Sequence, residues 1–214
     1  SPFFKIKEIK ISGVNRIPEE EIKNFIWREL SEGKNKPNIF LFDVGEVATV
    51  LEEEYGFKNL SVKKNFPSAI FLSLEEPILA AVWHEGDRYY YMDDDGNIIS
   101  EVNPLDVNAR DYPIIDGDEK GNFGAGARIS YIINLFDDFK DGKYGLEVER
   151  FKIDSETNTA QMFLKNGPLV YFNVKEDISS QIAKLLALKN EKLKDNFNQK
   201  IHIDLRYGDR VYYK

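Results

Sequence analysis

The strongest constraint on the fold is the order in which two hydrophobic periodicities follow one another along 214 residues. Residues 1–76 run strand, helix, helix, strand, strand. In "FFKIKEIKISG", Phe4 and Ile6 and, after a one-residue slip, Ile9 and Ile11 alternate with polar residues until Gly13 stops the run, which predicts a strand. In "IPEEEIKNFIWREL", Pro18 and three glutamates open a helix where the macrodipole favours negative charge, and Ile22, Phe25, Ile26 and Leu30 share one face. "EGKNKPN" is a loop. Asp43 is the expected N-cap of a second helix with Val47, Val50 and Leu51 inward and Gly56 near its end. "FKNLSVKKNF" and "AIFLSLEE" are strands joined at Pro67-Ser68. Two helices on one face of a three-stranded sheet would close this segment as a small domain.

From Pro77 onward strands dominate: "ILAAVWHEG", "RYYYMDDDGNIIS", "YGLEVERFKID", "TAQMFLKNG" and "LVYFNVK". Two amphipathic helices interrupt them, one aligning Ile129, Ile132, Ile133 and Phe136, the other Ile182, Leu185, Leu186 and Leu193. The expectation is an α+β chain with domains at 1–76 and 77–214, the second built on a mostly antiparallel sheet. The last stretch, "IHIDLRYGDRVYYK", is a core-facing strand Ile201–Tyr207, a Gly208-Asp209 turn and a short aromatic strand at an edge. Edge strands invite pairing with another chain.

Composition narrows the function. A net charge of −8 argues against a general nucleic-acid binder. The absence of cysteine excludes thiolate zinc sites, disulfides and thiol nucleophiles. No run approaches the ~18 apolar residues of a membrane helix. The start at Ser1 without Met suggests a processed or trimmed chain.

Candidate chemical motifs read as ordinary structure. In "MDDDGNII" the acidic residues Asp93, Asp94 and Asp95 are consecutive, unlike the alternating carboxylates of an EF-hand, so an Asp95-Gly96 hairpin turn is expected. "GNFGAGAR" lacks the Lys-Ser/Thr of a P-loop and is read as a loop leading into a helix. His84 and His202 are far apart with no neighbouring ligand residues, and each is read as a surface or sheet histidine. Lys63 and Lys64 would point to opposite faces of a strand, a solvated edge. With no Gly-x-Ser-x-Gly elbow and no Ser placed beside a His, a non-enzyme is favoured, and neither catalytic residues, metal nor cofactor are assigned.

Taken together, "IKISGVNRIPEEEI", "LFDVGEVATVLEEEYGFKNLSVKKNFPSAIFLSLEEPILAAVW", "YYMDDDGNII", "YPIIDG" and "IHIDLRY" resemble, in order and spacing, the FtsQ/DivIB family of bacterial cell-division proteins. The carrying positions are the Ile11–Gly13 turn, Pro67, Glu75-Glu76-Pro77, Trp83, Asp93–Gly96, Pro113–Gly117 and Asp204–Tyr207. Lys63-Lys64 departs from an Arg neighbourhood usual in the family. The resemblance implies an N-terminal POTRA domain followed by a β domain, both extracytoplasmic. It also implies a short cytoplasmic tail and one transmembrane helix lying outside this chain, and location in the cell membrane at the septum. It implies no catalysis but recruitment of FtsB/DivIC and FtsL, which regulate septal peptidoglycan synthesis, with the last strand accepting a strand of FtsB. By position the partner-binding residues are Tyr207, Asp209, Arg210, Val211, Tyr212 and Tyr213, with Arg206 either facing an acidic partner residue or held in an ion pair within the β domain.

Two other functions are weighed. A POTRA-bearing accessory of polypeptide transport or outer-membrane assembly would continue into many ~10-residue barrel strands, which residues 77–214 do not supply. A carbohydrate-active enzyme would need two carboxylates roughly 5–9 Å apart in a cleft.

Overall fold

The structure is a computed structural model that describes residues 2–32, 37–107, 110–117, 126–154 and 156–214. It divides into two compact units, 1–78 and 79–214, each with its own hydrophobic core.

In the first unit the elements are β1 (Glu8–Ser12), α1 (Glu19–Glu32), α2 (Val44–Tyr55), β2 (Lys58–Asn65) and β3 (Ala69–Glu75). β3 is the central strand, parallel to β1 and antiparallel to β2. Ile70, Leu72 and Leu74 point into the core while Phe71, Ser73 and Glu75 face out, as the period of two requires. The helices bury Ile22, Ile26 and Leu30 from α1 and Val47 and Leu51 from α2. Both ends of α2 are set by local chemistry. The Asp43 carboxylate accepts from the Gly45 and Glu46 N–H groups, and Gly56 ends the helix at φ +65°.

The N-terminal strand is shorter than its hydrophobic pattern suggests. Pro2–Phe4 form a 3₁₀ turn, and β1 starts at Glu8. The cause is competition for the backbone: Phe4 C=O accepts from Ile39 N–H and Ile6 N–H donates to Pro37 C=O, so these groups serve the 37–39 loop instead of the sheet. The one-residue slip between Ile6 and Ile9 marks that handover.

The second unit carries β4 (Ala81–Glu85), β5 (Arg88–Met92), β6 (Ile98–Val102), β7 (Ile114–Asp116), α3 (Gly126–Phe139), β8 (Val148–Asp154), β9 (Thr159–Leu164), β10 (Leu169–Asn173), α4 (Ile178–Ala187), β11 (His202–Tyr207) and β12 (Arg210–Tyr213). One sheet of order β12-β11-β10-β9-β8-β7-β4-β5-β6 contains all its strands. Most neighbours are antiparallel. The exceptions are the parallel pairs β10–β11, β7–β8 and β4–β7. β7 is three residues long and bridges β4 and β8.

α3 buries Ile129, Ile132, Leu135, Phe136 and Phe139, so the inward stripe takes Leu135 while Ile133 sits at its margin. α4 gives way to a π-helical turn, Leu188–Leu193, closed by a bond from Lys194 N–H to Lys189 C=O. A five-residue repeat brings Leu188 and Leu193 to the same side, and both are buried. The two helices meet at Gln181, which is fully buried. Its Oε1 accepts from Asn173 N–H at 2.9 Å and its Nε2 donates to the Tyr131 hydroxyl at 3.1 Å, which leaves both polar ends of the amide satisfied.

Residues 121–125 of "GNFGAGAR" lie outside the described residues; α3 begins within the motif, at Gly126.

Candidate functional site

β12 stands at one edge of the nine-stranded sheet, with β11 as its ladder partner. Side chains alternate along it. Val211 and Tyr213 pack against the core of the second unit, while Arg210 and Tyr212 face outward. The backbone alternates as well. Lys214 N–H donates to His202 C=O, and the register pairs Tyr212 with Asp204 and Arg210 with Tyr207. Residues 210, 212 and 214 therefore face β11. The N–H and C=O groups of Val211 and Tyr213 are aimed away from the sheet, where an added strand would bind.

The strand β11 begins one residue later than its alternation implies: Ile201 is exposed, its N–H given to Lys214 C=O at 2.6 Å and its C=O accepting from Leu169 N–H. Ile203 and Leu205 are the core-facing residues, and His202, Asp204 and Arg206 share the other face. That i, i+2 spacing joins Arg206 to Asp204 in a two-pronged ion pair, with Nε to Oδ1 at 2.8 Å and Nη2 to Oδ2 at 2.6 Å. Arg206 Nη1 also donates to Thr159 Oγ1 at 3.0 Å, and the guanidinium lies near the rings of Tyr171 and Tyr207. Burial alone would raise the Asp204 pKa, but the hydrogen bonds from Arg206 and its charge outweigh it and hold the carboxyl below its usual value. Arg206 thus forms an ion pair within the second unit.

Tyr207 and Tyr212 are 55% and 49% exposed and meet edge to face with centroids 5.3 Å apart. They form a solvent-facing aromatic pair on the hairpin, rimmed by exposed Asp209 and Arg210. Tyr213 packs inward, and the Lys192 and Lys200 ammonium groups lie 5.3 and 5.4 Å from its ring centre. Residue types along the hairpin gave no hint of Lys184. From α4 its ammonium donates to the carbonyls of Leu205, at 3.1 Å, and Gly208, spanning the turn between β11 and β12. No sequence signal joins residues so far apart.

The other candidates fall into structural roles. Asp93 is buried and organises its own turn: Oδ1 accepts from Asp95 N–H and Asn97 N–H, and Gly96 takes φ +88°. Asp94 and Asp95 lie beside it with carboxylate oxygens within 4.8 Å of one another. His84 is part of a network that sequence could not show. Its Nδ1 lies 2.8 Å from Asp116 Oδ1, Asp116 Oδ2 accepts from Arg150 Nε at 2.7 Å, and the imidazole stacks on Tyr89. The network ties β4, β7 and β8 together across two parallel pairings. A concavity of about 500 Å³ is lined by Phe136, Phe139, Lys140, Asp141, Glu147 and Glu149 among others. Glu147 and Glu149 are ion-paired with Lys165 and Arg150.

Comparison with known proteins gives these features a context. The family profile described as "POTRA domain, FtsQ-type" matches residues 4–76, and that described as "Cell division protein FtsQ/DivIB, C-terminal" matches residues 81–206. The chain belongs to the FtsQ/DivIB family of cell division proteins. Among curated relatives, cell division protein FtsQ of Syntrophotalea carbinolica is 28% identical over 142 residues, covering 64% of this chain and 48% of that protein. Cell division protein DivIB of Staphylococcus aureus is 26% identical over 118 residues, 55% of this chain and 25% of that protein. The chain thus spans at most about half the length of these relatives. A solved structure of the major extracytoplasmic domain of DivIB from Geobacillus stearothermophilus aligns over 56% of this chain and 99% of that one, at 12% identity and a TM-score of 0.33, too low to bear on the fold.

Several positions that carry the FtsQ/DivIB resemblance have visible physical reasons. Gly13 sits at φ +94°, and a Cβ there would lie 1.8 Å from Leu74 O. Glu76 binds the turn that Gly13 opens, accepting from the N–H groups of Asn15, Arg16 and Ile17 at 2.8–3.1 Å. Burial pushes the Glu76 pKa up, yet those backbone donors from Asn15, Ile17 and Arg16, with the Arg16 charge, bring it below its ordinary value. Gly117 lies against the Trp83 indole, where an added Cβ would come within 2.6 Å of the ring. The C-terminal profile stops at Arg206, immediately before the exposed hairpin Tyr207–Tyr213.

Proposed function

We propose that this chain is the extracytoplasmic, non-catalytic part of a membrane-anchored division scaffold. It recruits an FtsB/DivIC-like and an FtsL-like protein by accepting a strand along β12. The observation that carries the reading is the open edge: the outward N–H and C=O groups of Val211 and Tyr213 lie beside the exposed Tyr207–Tyr212 pair. Strand addition uses main-chain bonds for affinity and neighbouring side chains for specificity. The contact residues are Tyr207, Asp209, Arg210, Val211, Tyr212 and Tyr213. The outward surface comes from Tyr207, Arg210 and Tyr212, and the main-chain groups from Val211 and Tyr213. Arg206 contributes by ordering β11 through Asp204. The reading assigns membrane attachment to an N-terminal helix; among the described residues no helix is long and apolar enough to cross a bilayer.

Two substitutions test this. Val211→Pro removes an outward donor while leaving the inward bonds of β12 in place, and Tyr212→Asp puts a charge where an aromatic anchor stands. Tyr212→Asp should weaken capture of a co-expressed FtsB/FtsL pair by roughly tenfold or more and Val211→Pro by about fivefold, with circular dichroism and thermal midpoint little changed. Parental affinity in both variants would sink the edge-strand reading.

A further inference from the structure

The first unit exposes an aromatic surface that the edge-strand reading leaves unused. Three segments converge there: the 3₁₀ turn Pro2–Phe4, the loop 37–42 and the β2–β3 turn at 66–68. They are joined by backbone bonds from Ile6 to Pro37, Ile39 to Phe4 and Lys7 to Ser68. Their rings form a continuous chain, Phe3 to Phe4 to Phe40 to Phe66, with centroid spacings of 5.1, 4.8 and 5.2 Å. Phe3, Phe40, Leu41 and Phe66 are 61%, 58%, 61% and 55% exposed.

The outward placement is built in. Asn38 holds the loop as a tight turn, its side chain accepting from Phe40 N–H and its C=O from Leu41 and Phe42 N–H, while Ile39 and Phe42 are anchored in the core. The rigid turn therefore presents Phe40 and Leu41 to solvent. A contiguous exposed apolar patch of this kind marks an interaction surface.

Its charge says what it meets. The chain as a whole is acidic, at −8, but the segments that build the patch, 2–7, 37–42 and 66–68, hold Lys5 and Lys7 and no acid; Glu8 and Asp43, which caps α2, follow directly after them. Large exposed apolar side chains on a segment that also carries exposed lysines match an interface between water and anionic lipid, where rings enter the acyl boundary and ammonium groups meet headgroups. We infer that this end of the first unit docks onto an anionic lipid surface, with Phe40, Leu41 and Phe66 as the inserting side chains.

The test uses the whole chain without any partner, so its outcome is independent of the edge-strand reading. Co-sedimentation is measured with vesicles of phosphatidylcholine alone and with about 30% phosphatidylglycerol. The parent chain should partition preferentially to the anionic vesicles. The triple variant Phe40→Ser, Leu41→Ser, Phe66→Ser should lose about tenfold or more of that partitioning. Lys5→Glu with Lys7→Glu should weaken binding to anionic vesicles only. Circular dichroism verifies that the variants fold. The inference fails if the parent ignores both vesicles, or if the triple variant binds as the parent does. It also fails if the patch instead supports self-association or a protein complex that the triple variant abolishes, without lipid partitioning.

Discussion

Removing the Lys184 ammonium tests whether the proposed docking hairpin is preorganised or merely present. Lys184→Met keeps most of the aliphatic stem and deletes the donors to Leu205 O and Gly208 O. Hydrogen bonds to a charged donor contribute about 1.5–3 kcal/mol each when buried, but Lys184 is only half-buried, so about 2 kcal/mol for the two together is the working magnitude. That free energy holds the β11–β12 turn against α4, so its loss should favour local opening of the hairpin far more than global unfolding. About 2 kcal/mol corresponds to roughly thirtyfold faster exchange wherever the hairpin opens as a unit. The reporters are the amides of Lys214, bonded to His202 O, and Ile201, bonded to Lys214 O. An amide of the interior strand β10 that bonds to β9 serves as the control. Hydrogen exchange followed by NMR should show the end amides accelerating and β10 unchanged, and Lys184→Arg should restore most of the protection. If Lys214 exchanges less than about threefold faster in Lys184→Met, the clamp carries no appreciable free energy and the argument for preorganisation is wrong.

The Glu76 carboxylate should give the first unit an acid-dependent contribution. With its folded pKa below the ordinary 4.5, the stabilisation is fully present above that value and is lost as pH falls through the depressed folded pKa. The penalty of Glu76→Gln in urea unfolding should therefore be larger at pH near 6 than near 3, and an equal penalty at both would refute the assignment. Gly117→Ala should cost about 1–3 kcal/mol because the buried Trp83 indole has to move, with a changed tryptophan emission as its signature. Gly13→Ala should cost more, since the clashing atom is the Leu74 carbonyl oxygen and the backbone is at positive φ; equal thermal midpoints for the two would contradict this order.

What was legible in the sequence is what depends on near neighbours. Asp43 and Gly56 mark the ends of α2 because capping involves residues two to four apart, and the Asp93–Gly96 turn closes on its own side chain. Strand alternation marks β1 and β11 as strands. It carries no record of which strand lies alongside, so the parallel neighbours β10 and β11 are not visible in it. β7 is too short, at three residues, to display any period. Leu135 is fully buried while Ile133 packs at the margin of the core, a choice made by the neighbours of α3 and not by the helix. The hairpin's position and aromatic character are local and legible. Lys184 from α4, Lys192 from the π-helical turn and Lys200 from just before β11 reach it through tertiary contact.

The geometry of β12 also limits how binding there can work. A four-residue strand offers outward main-chain groups from only two residues, Val211 and Tyr213, which amounts to about four hydrogen bonds. At about 1 kcal/mol net for each, main-chain pairing supplies about 4 kcal/mol, equivalent to a dissociation constant near 1 mM. Such an edge cannot recruit an arbitrary extended chain, and its short length, the irregular register between Asp204 and Tyr207, and the charges at Arg210 and Lys214 all limit self-pairing. A stable complex has to draw the rest of its free energy from side chains, and the solvent-facing pair Tyr207–Tyr212 is the part of the hairpin able to provide it. Tyr212→Asp should therefore weaken binding more than Val211→Pro. The first removes an anchor, and the second one main-chain donor among about four.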